Sequence, residues 1–427
     1  ILDSIGVALA AAPLKSSKIV AATVKNMSGK RESTVLGHKG KVPAPLAALA
    51  NGIAGHGLDF DDWHSKGAVH PGSIVVPAAL AAAEREDASG KDLIASVAAG
   101  YEVMIRVGMS TLGTGFQRGF HPTGTCGPFG ATAGACKILD LNVEQVANAF
   151  GLAGSQGGGL MEFQESDGWS KRMHAGMAAQ AGLINATLVK NGYTGPVTVL
   201  EGKYGFCKAY SVNYDLTEIT KGLGEHFETL SIQTKKYACC SELFSSIEAA
   251  RDVVREHNLK LSDISKIKIR SVSMAARFCS EPRERKVKPQ TVVDAQFSLP
   301  YSVAVGIVKG RASIPEYTDE AIKDPDVLAL TGKVEPNVDP ELDKIFPGRS
   351  PAIVEITTVD GKMFDKRVDD ARGTPQNPMT KEELEDKFIL CGRQIYGTQR
   401  TKKIIQMVEG MEKIANVKTL CRLLAAP

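Results

Sequence analysis

The sequence predicts a mainly α-helical protein with a smaller α+β domain. Helical patterns rich in Ala and Gly run from residue 1 to about 230, alternating and hairpin patterns follow, and helical patterns return near residue 376. A chain of 427 residues exceeds what one hydrophobic core usually supports. We therefore predict a discontinuous all-helical domain, 1–230 plus 376–427, and an α+β domain, 231–375.

The helical periodicity is clearest in residues 92–109, where apolar side chains recur about every 3.6 positions. The same pattern predicts further helices over residues 45–58, 73–85, 131–139, 143–152 and 173–189. Many of their positions are Gly or Ala, which lets helices approach closely. The first domain is therefore expected to be a dense bundle.

The α+β domain is predicted from shorter signals. Residues 265–272 alternate basic and apolar side chains, as in a half-buried strand. Residues 352–368 form two strand-like runs joined by Asp360-Gly361, a strong hairpin signal. A third strand is expected near Val334, and helices over 245–257 and 295–308. Thr380 then begins a capping box that opens the last helical segment.

Composition excludes several classes of protein. A net charge of +3 provides no broad field for nucleic acid or for an anionic membrane, so neither partner is expected. No apolar run suggests a membrane span, and the first residues resemble a packed helix more than a signal peptide. The eight cysteines include no C-x-x-C pair, which favours a reducing compartment. We expect a cytoplasmic protein, or a mitochondrial one if a transit peptide has been trimmed.

One stretch, GLDFDDWHSKGAVHPGS, is unusually rich in titratable groups. Its Asp and His side chains suit a hard or borderline metal, an acid–base site or a polar surface loop. The spacing matches no known metal motif, and we expect no metal. Asp59 and Asp62 are spaced to share a helix face, with Asp61 pointing elsewhere. The candidates in this stretch are Asp59, Asp61, Asp62, His64 and His70.

Two further stretches carry candidate residues. His121 precedes a proline and a Gly/Ala helix opened by Thr123, a suitable place for an acid or base beside a bound anion. Lys171 and Arg172 stand together at a predicted helix start, with His174 one turn further on. Cations are unfavourable at a helix N-terminus, which indicates an anionic partner such as a substrate carboxylate. Local helix entry and a solvated basic turn are the simpler alternatives.

The glycine-rich run GSQGGG, residues 154–159, follows a helical pattern and matches neither dinucleotide nor P-loop spacing. We interpret it as a tight or flexible connection, and expect no nucleotide cofactor.

Taken together, the stretches resemble the signature blocks of the MmgE/PrpD family. The resemblance rests on DFDD followed by His70-Pro71, on FHPT at 120–123, and on KRMHAG at 171–176. YTGPVTVLEGKYGF (193–206) and DAQFSLPYSVAVGIV (294–308) are similar to further family blocks in the same order. Five ordered blocks extend the resemblance over essentially the whole chain.

The resemblance implies a helical domain with an α+β lid, a homodimer, and catalysis without a metal or organic cofactor. It implies that the catalytic residues are Asp59, His70, His121, Lys171 and Tyr301. Lys171, Arg172, Thr123 and His174 are the expected substrate-binding residues. His70 and His121 would act as base and acid, in an order that the sequence leaves open. Asp59 would orient a histidine and fix its tautomer, and Asp61, Asp62 and His64 are given supporting or structural roles.

The function that the resemblance implies is a lyase acting on a small di- or tricarboxylic acid through a carbanion- or enolate-like species. Dehydration is expected first, then decarboxylation, and then epimerisation as an isomerase of the same family. The segment MEFQESDGWS adds Glu162, Glu165 and Asp167, which would repel a tricarboxylate if they faced it. The exact substrate therefore stays open. The rivals are a metal-dependent hydrolase and a non-catalytic binding protein.

Overall fold

The computed structural model describes residues 1–165 and 168–427. Helices dominate it, and one four-stranded mixed sheet accompanies them, so the predicted mainly α fold with a smaller α+β part is confirmed. The chain forms two compact units: residues 1–234 with 380–427, and residues 235–379.

The helical unit contains thirteen α-helices among its described residues and a small antiparallel pair, β1 (Ser33–Thr34) with β2 (Lys41–Val42). The helices are α1 (Leu2–Ala11), α2 (Lys15–Asn26), α3 (Ala44–Gly55), α4 (Gly72–Arg85), α5 (Gly90–Ser110), α6 (Pro122–Ile138), α7 (Val143–Gly154), α8 (Ser170–Lys190), α9 (Phe206–Tyr210), α10 (Thr217–Thr220), α17 (Lys381–Gly392), α18 (Thr398–Glu409) and α19 (Lys418–Leu424).

Close helix packing brings the ends of α3 and α8 together. α6 packs between α5 and α8, and α3 packs on α8 and α4. A Cβ atom on Gly52 would lie 2.9 Å from the Cα of Gly176, so the α3–α8 crossing requires glycine. This crossing places the C-terminal end of α3 near the N-terminal turn of α8, where the candidate residues lie.

α5 is long and apolar enough to cross a membrane by length and composition. However, 67% of its most apolar window is buried in the structure, as in the core helix of a globular unit. The sequence analysis expected no apolar run that suggests a membrane span, whereas α5 meets that test and is mostly buried in the helical unit.

The α+β unit contains the sheet, with strand order β4-β3-β5-β6. β3 pairs parallel with β4 and antiparallel with β5, which forms the hairpin with β6. α11 packs on β5 and β6. The elements are α11 (Phe244–Glu256), β3 (Ile264–Ser271), a π-helical turn (Met274–Phe278), α12 (Arg283–Val287), α13 (Val292–Gln296), α14 (Leu299–Lys309), α15 (Pro325–Thr331), β4 (Val334–Val338), α16 (Pro340–Asp343), β5 (Ala352–Thr358) and β6 (Met363–Val368).

Two helix predictions were wrong in extent. The helix expected over 295–308 is broken between α13 and α14, because Pro300 follows at the second position of α14 and Ser298 caps that helix. Helical structure was also expected up to residue 230, yet residues 191–234 contain only the short helices α9 and α10 with 3₁₀ turns. All eight cysteines are free thiols and buried.

Candidate active site

The segment between α3 and α4 leaves the helix after Gly55 and forms an irregular loop. Asp59 adopts a left-handed backbone conformation with φ of 51°, which Asp tolerates better than most residues. The expectation that Asp59 and Asp62 share a helix face is therefore wrong. Their buried carboxylates bind different partners: Asp59 pairs with Lys171 Nζ, and Asp62 accepts from Gly72 N at 2.8 Å.

Asp62 fixes the loop that carries His70. Its carboxylate accepts a hydrogen bond from the first residue of α4, Gly72, and another from the Tyr101 hydroxyl at 2.6 Å. Burial raises the pKa of Asp62 to about 7. Its backbone carbonyl lies 2.7 Å from His70 Nδ1. Because a carbonyl only accepts, His70 carries its proton on Nδ1 and presents Nε2 as the basic nitrogen.

His56 belongs to this cluster, and the sequence analysis missed it. His56 caps the C-terminus of α3 and its Nδ1 lies 2.7 Å from Asp61 Oδ2, which is 3.5 Å from His70 Nδ1. The expectation gave Asp59 the task of orienting a histidine and treated Asp61 as secondary, whereas Asp61 is the carboxylate beside the two imidazoles. The signal was available in GHGLDFDD, but His56 was counted as part of a helix.

His121 is the N-cap of α6, as its position before Pro122 predicts. Its backbone N–H donates to Gly159 O at 3.0 Å, and its Nδ1 lies 3.1 Å from His174 Nδ1. A Cβ atom on Gly159 would lie 2.9 Å from the His174 ring. The glycine run at 157–159 is thus a close-packed support for both histidines, which agrees with its interpretation as a tight connection.

The two histidines of this pair are electrostatically constrained. Burial, together with the charges of His56, Lys171 and His174, lowers the pKa of His121 well below its ordinary value, and Asp59 opposes the shift. Burial and Lys171 also lower the pKa of His174. Both are therefore neutral near pH 7. In a neutral Nδ1–H···Nδ1 pair one ring keeps a lone pair on Nε2 and the other keeps a proton there, so the pair offers both a base and an acid.

Lys171 and Arg172 stand at the start of α8, as predicted, but bind different groups. The half-buried Lys171 forms an ion pair with the buried carboxylate of Asp59, which supplies an anion for this cationic helix start. Lys171 and His174 are three positions apart and share a helix face. Arg172 is rotated from that face, and its Nη1 donates to Ser16 Oγ at 2.8 Å.

Thr123 and the acidic segment also have defined places. Thr123 Oγ1 accepts a hydrogen bond from the His70 backbone at 3.3 Å, so it joins the start of α6 to the His70 loop. Beside His121 lies the Phe163 ring, with centroids 5.5 Å apart. Glu162 and Glu165 are both exposed. The third predicted carboxylate, Asp167, lies outside the described residues.

Tyr301 is in the α+β unit. It is fully buried there, and its hydroxyl donates to Glu316 O at 2.7 Å, with Ala321 O at 3.3 Å. Burial raises its pKa. Its catalytic role stays a prediction from the resemblance.

The donor atoms of His56, Asp61 and His70 lie within 4.8 Å of one another and form the metal-type cluster found among the described residues. Two of the closest contacts, His56 Nδ1 to Asp61 and His70 Nδ1 to Asp62 O, are both 2.7 Å. That separation is normal for a hydrogen bond and shorter than the roughly 3.3 Å between ligands of a tetrahedral ion with ~2 Å bonds. As arranged, these atoms hold protons.

Comparisons with known proteins identify the family of this chain. The MmgE/PrpD N-terminal domain model matches residues 1–219, and the MmgE/PrpD C-terminal domain model matches residues 237–413. The chain is 30% identical over 453 residues to the cis-aconitate decarboxylase of Aspergillus terreus (strain NIH 2624 / FGSC A1156), covering 100% of this chain and 90% of that protein.

Two other relatives cover different shares of the chain. The cis-aconitate decarboxylase of Mus musculus is 27% identical over 447 residues, covering 100% of this chain and 88% of that protein. The mitochondrial 2-methylcitrate dehydratase of Yarrowia lipolytica is 27% identical over 251 residues, covering 55% of this chain and 46% of that protein. The chain is an enzyme of the lyase class. It belongs to the MmgE/PrpD family.

Proposed function

We propose that this enzyme removes carbon dioxide or water from a small di- or tricarboxylic acid through a carbanion- or enolate-like species, without a metal or organic cofactor. The observation that carries the proposal is a set of buried and half-buried side chains in which His70 and His121 lie on either side of His56, His174 bonds His121, and Lys171 acts on His121. Each of them has an assigned partner. Asp59 positions Lys171, and Thr123 positions His70.

The histidines supply the proton transfers. His70 presents a basic Nε2, because its Nδ1 proton is held by the Asp62 carbonyl. The His121–His174 pair contributes a second lone pair and a proton. Neutral imidazoles suit this task near pH 7, since each can take or give a proton with a modest free-energy cost.

Lys171 supplies the positive charge. An ammonium placed beside a carboxylate, or beside the negative charge that develops next to it, stabilises the transition state most strongly where water is excluded. The pairing with Asp59 fixes the ammonium at the start of α8. Arg172 is a weaker candidate for substrate binding, because its guanidinium already donates to Ser16. For Tyr301 to take part, its hydroxyl would have to exchange its backbone acceptors.

Both reactions balance with these groups. In decarboxylation the C–C bond to the leaving carboxylate breaks, its electron pair passes to the adjacent carbon system, and an imidazolium or N–H acid protonates carbon. In dehydration a neutral imidazole takes a proton from the carbon next to a carboxylate. The C–O bond then breaks, and an acid protonates the departing hydroxide to give water.

Relatives favour testing decarboxylation first, although the sequence placed dehydration first. The relatives named as cis-aconitate decarboxylases align with the whole chain, whereas the dehydratase aligns with 55% of it. Epimerisation uses the same proton abstraction and is the third reaction. The only observation that favours a metal-dependent hydrolase is the donor set of His56, Asp61 and His70. None of the contacts described favours a binding protein without activity.

The test is turnover of a panel of di- and tricarboxylic acids followed by NMR, which resolves loss of carbon dioxide, loss of water and exchange of α-protons. Replacing His121 by Asn or Lys171 by Met should lower kcat/KM by about 100-fold or more, while the melting temperature changes little. Lys190→Met, at the far end of α8 and exposed, is the matched control and should leave turnover unchanged. Normal turnover in both site variants contradicts the assignment, and turnover lost on chelation supports the hydrolase.

We also propose that the enzyme is a homodimer. Four exposed apolar side chains lie on one stripe of α8, at spacings of four, seven and four residues: Met173, Met177, Ile184 and Leu188. A second copy of the chain would bury this stripe. The cytoplasm is the proposed location, since all eight cysteines are free thiols, and the mitochondrial relative makes an organelle the alternative to test.

A further inference from the structure

The imidazole of His56 lies between the two histidines that the proposed reaction uses. Its ring centroid is 4.8 Å from that of His70 and 5.7 Å from that of His121, on which it stacks with an interplanar angle of 20°. His56 is 2% exposed and so has no route to act as a simple surface base. With His174 beyond His121, four imidazoles form a continuous row.

The buried carboxylate at one end of this row is shared. Asp61 is fully buried, and its Oδ2 lies 2.7 Å from His56 Nδ1 and 3.5 Å from His70 Nδ1. Its Oδ1 is also buried and accepts no hydrogen bond from the described part of the chain. A buried carboxylate is costly unless a cation balances it, so one imidazolium on either side is favoured and a second is not.

We propose that His56 is a positioning residue of this active site, which holds the Asp61 carboxylate jointly with His70 and thereby sets how readily His70 takes a proton. This inference rests on the proposed function, because it assigns His70 as an acid–base residue. While His56 carries the balancing proton, His70 stays neutral and can act as a base. When His70 accepts a proton from the substrate, the carboxylate of Asp61 lies close enough to balance the positive charge of the imidazolium.

The other charged groups around His56 have different partners and do not replace Asp61 in balancing the charge of these imidazoles. Lys171 is paired with Asp59, and both act on His121 from the start of α8 and from the loop. Asp62 points its carboxylate to Gly72 and Tyr101, on the α4 and α5 side. His174 acts on His121 from the far end of the row. Asp61 is thus the carboxylate that contacts the two imidazoles His56 and His70.

Two substitutions should move the pH profile in opposite directions. His56→Asn keeps an N–H where Nδ1 now donates to Asp61 but cannot become a cation, so Asp61 is left to balance His70 alone. The acidic limb of kcat/KM should then move to higher pH, by about 1 unit. Asp61→Asn removes the negative charge and should move the same limb to lower pH by a similar amount. A residue with only a structural role would lower kcat and leave the limb in place.

A second readout separates this inference from the proposed function. The Hε1 resonances of ¹³C-labelled histidine in the resting enzyme should show the His70 midpoint rising in His56→Asn and falling in Asp61→Asn, whether or not a substrate has been found. His226→Asn, at an exposed histidine, is the control and should move neither readout. A His70 midpoint that is unchanged, or that moves the same way in both variants, overturns the inference. Absence of turnover with every acid, together with opposite shifts, counts against the proposed function alone.

Discussion

Several histidines of the helical unit have their protonation set by different neighbours. The Asp62 carbonyl holds the Nδ1 proton of His70, and His174 shares a hydrogen bond with His121. At His64 the direction is reversed, because Gly67 N donates to Nδ1 at 3.0 Å and so requires a lone pair there. The three environments therefore leave a free Nε2 lone pair on His70, a shared hydrogen bond between His121 and His174, and a structural acceptor at His64 Nδ1.

The pH dependence of folding should reflect His64. Burial and nearby Lys66 lower the pKa of His64 to about 4. His64 therefore binds a proton near pH 6.5 in the unfolded chain, but only near pH 4 in the folded chain. The free energy of unfolding is highest above pH 6.5 and decreases as the pH falls toward 4. Between pH 7 and pH 5 this group should cost about 2 kcal/mol of the free energy of unfolding.

His64→Asn tests that assignment, because the Asn Oδ1 can accept from Gly67 N without titrating. Urea unfolding at both pH values should show a smaller loss in the variant than in the parent. Asp62 acts in the opposite sense, since its raised pKa of about 7 favours folding at low pH, and it is present in both proteins. An equal loss in the two proteins would contradict the role of His64.

At the scale of elements, the glycine run before α8 determines where His174 sits. Gly159 has φ of 129° and would place a Cβ atom 2.9 Å from the His174 ring. Gly159→Ala should therefore displace His174 from His121 and lower kcat, in addition to straining the backbone. Gly192→Ala is a matched control, because its φ of 92° carries similar strain and nothing lies within 4 Å.

Both glycine variants should lose about 1–2 kcal/mol of unfolding free energy, since each forces alanine into a positive φ. Only Gly159→Ala should lose activity. A fall in kcat of equal size in the two variants would show that backbone strain, and not the contact with His174, limits the reaction.

The regular elements were predictable because their signals are local. The 3.6-residue period predicted α5, the Asp360-Gly361 turn predicted the β5–β6 hairpin with Gly361 at φ of 82°, and Thr380 caps α17 as its capping box requires. His121 as N-cap followed from Pro122. Each of these depends on residues within a few positions of one another.

The site's internal pairings depend on contacts that no local pattern encodes. Asp59 is in a left-handed conformation, and its carboxylate pairs with Lys171, 112 residues away. In the same loop, Asp61 lies beside His56 and His70. The sequence therefore yielded candidate residues in three stretches, but assigned the orienting carboxylate to Asp59 and missed His56.

For the whole molecule, the exposed apolar stripe of α8 predicts self-association. Met173 and Met177 are 51% and 45% exposed, and Ile184 and Leu188 are each 38% exposed. Isolated apolar residues are common on surfaces, but a stripe along one helix is typical of an interface. Because α8 also carries Lys171 and His174, burying this helix in a dimer would restrain the start of the helix that forms the site.

Light scattering after gel filtration should therefore give about twice the chain mass of 45.5 kDa. The double substitution of Met177→Glu and Ile184→Glu should give the monomer mass, because two carboxylates would have to be buried without partners. Substituting Val143 and Val359 by Glu is the control and should leave the mass unchanged, because both are exposed, by 87% and 70%, and neither belongs to α8. Turnover in the monomeric variant then shows whether one helical unit holds its site without a partner. An unchanged kcat would mean that dimerisation contributes only to stability. A reduced kcat would mean that dimerisation positions α8. A monomer mass for the parent protein would contradict the role given to the stripe.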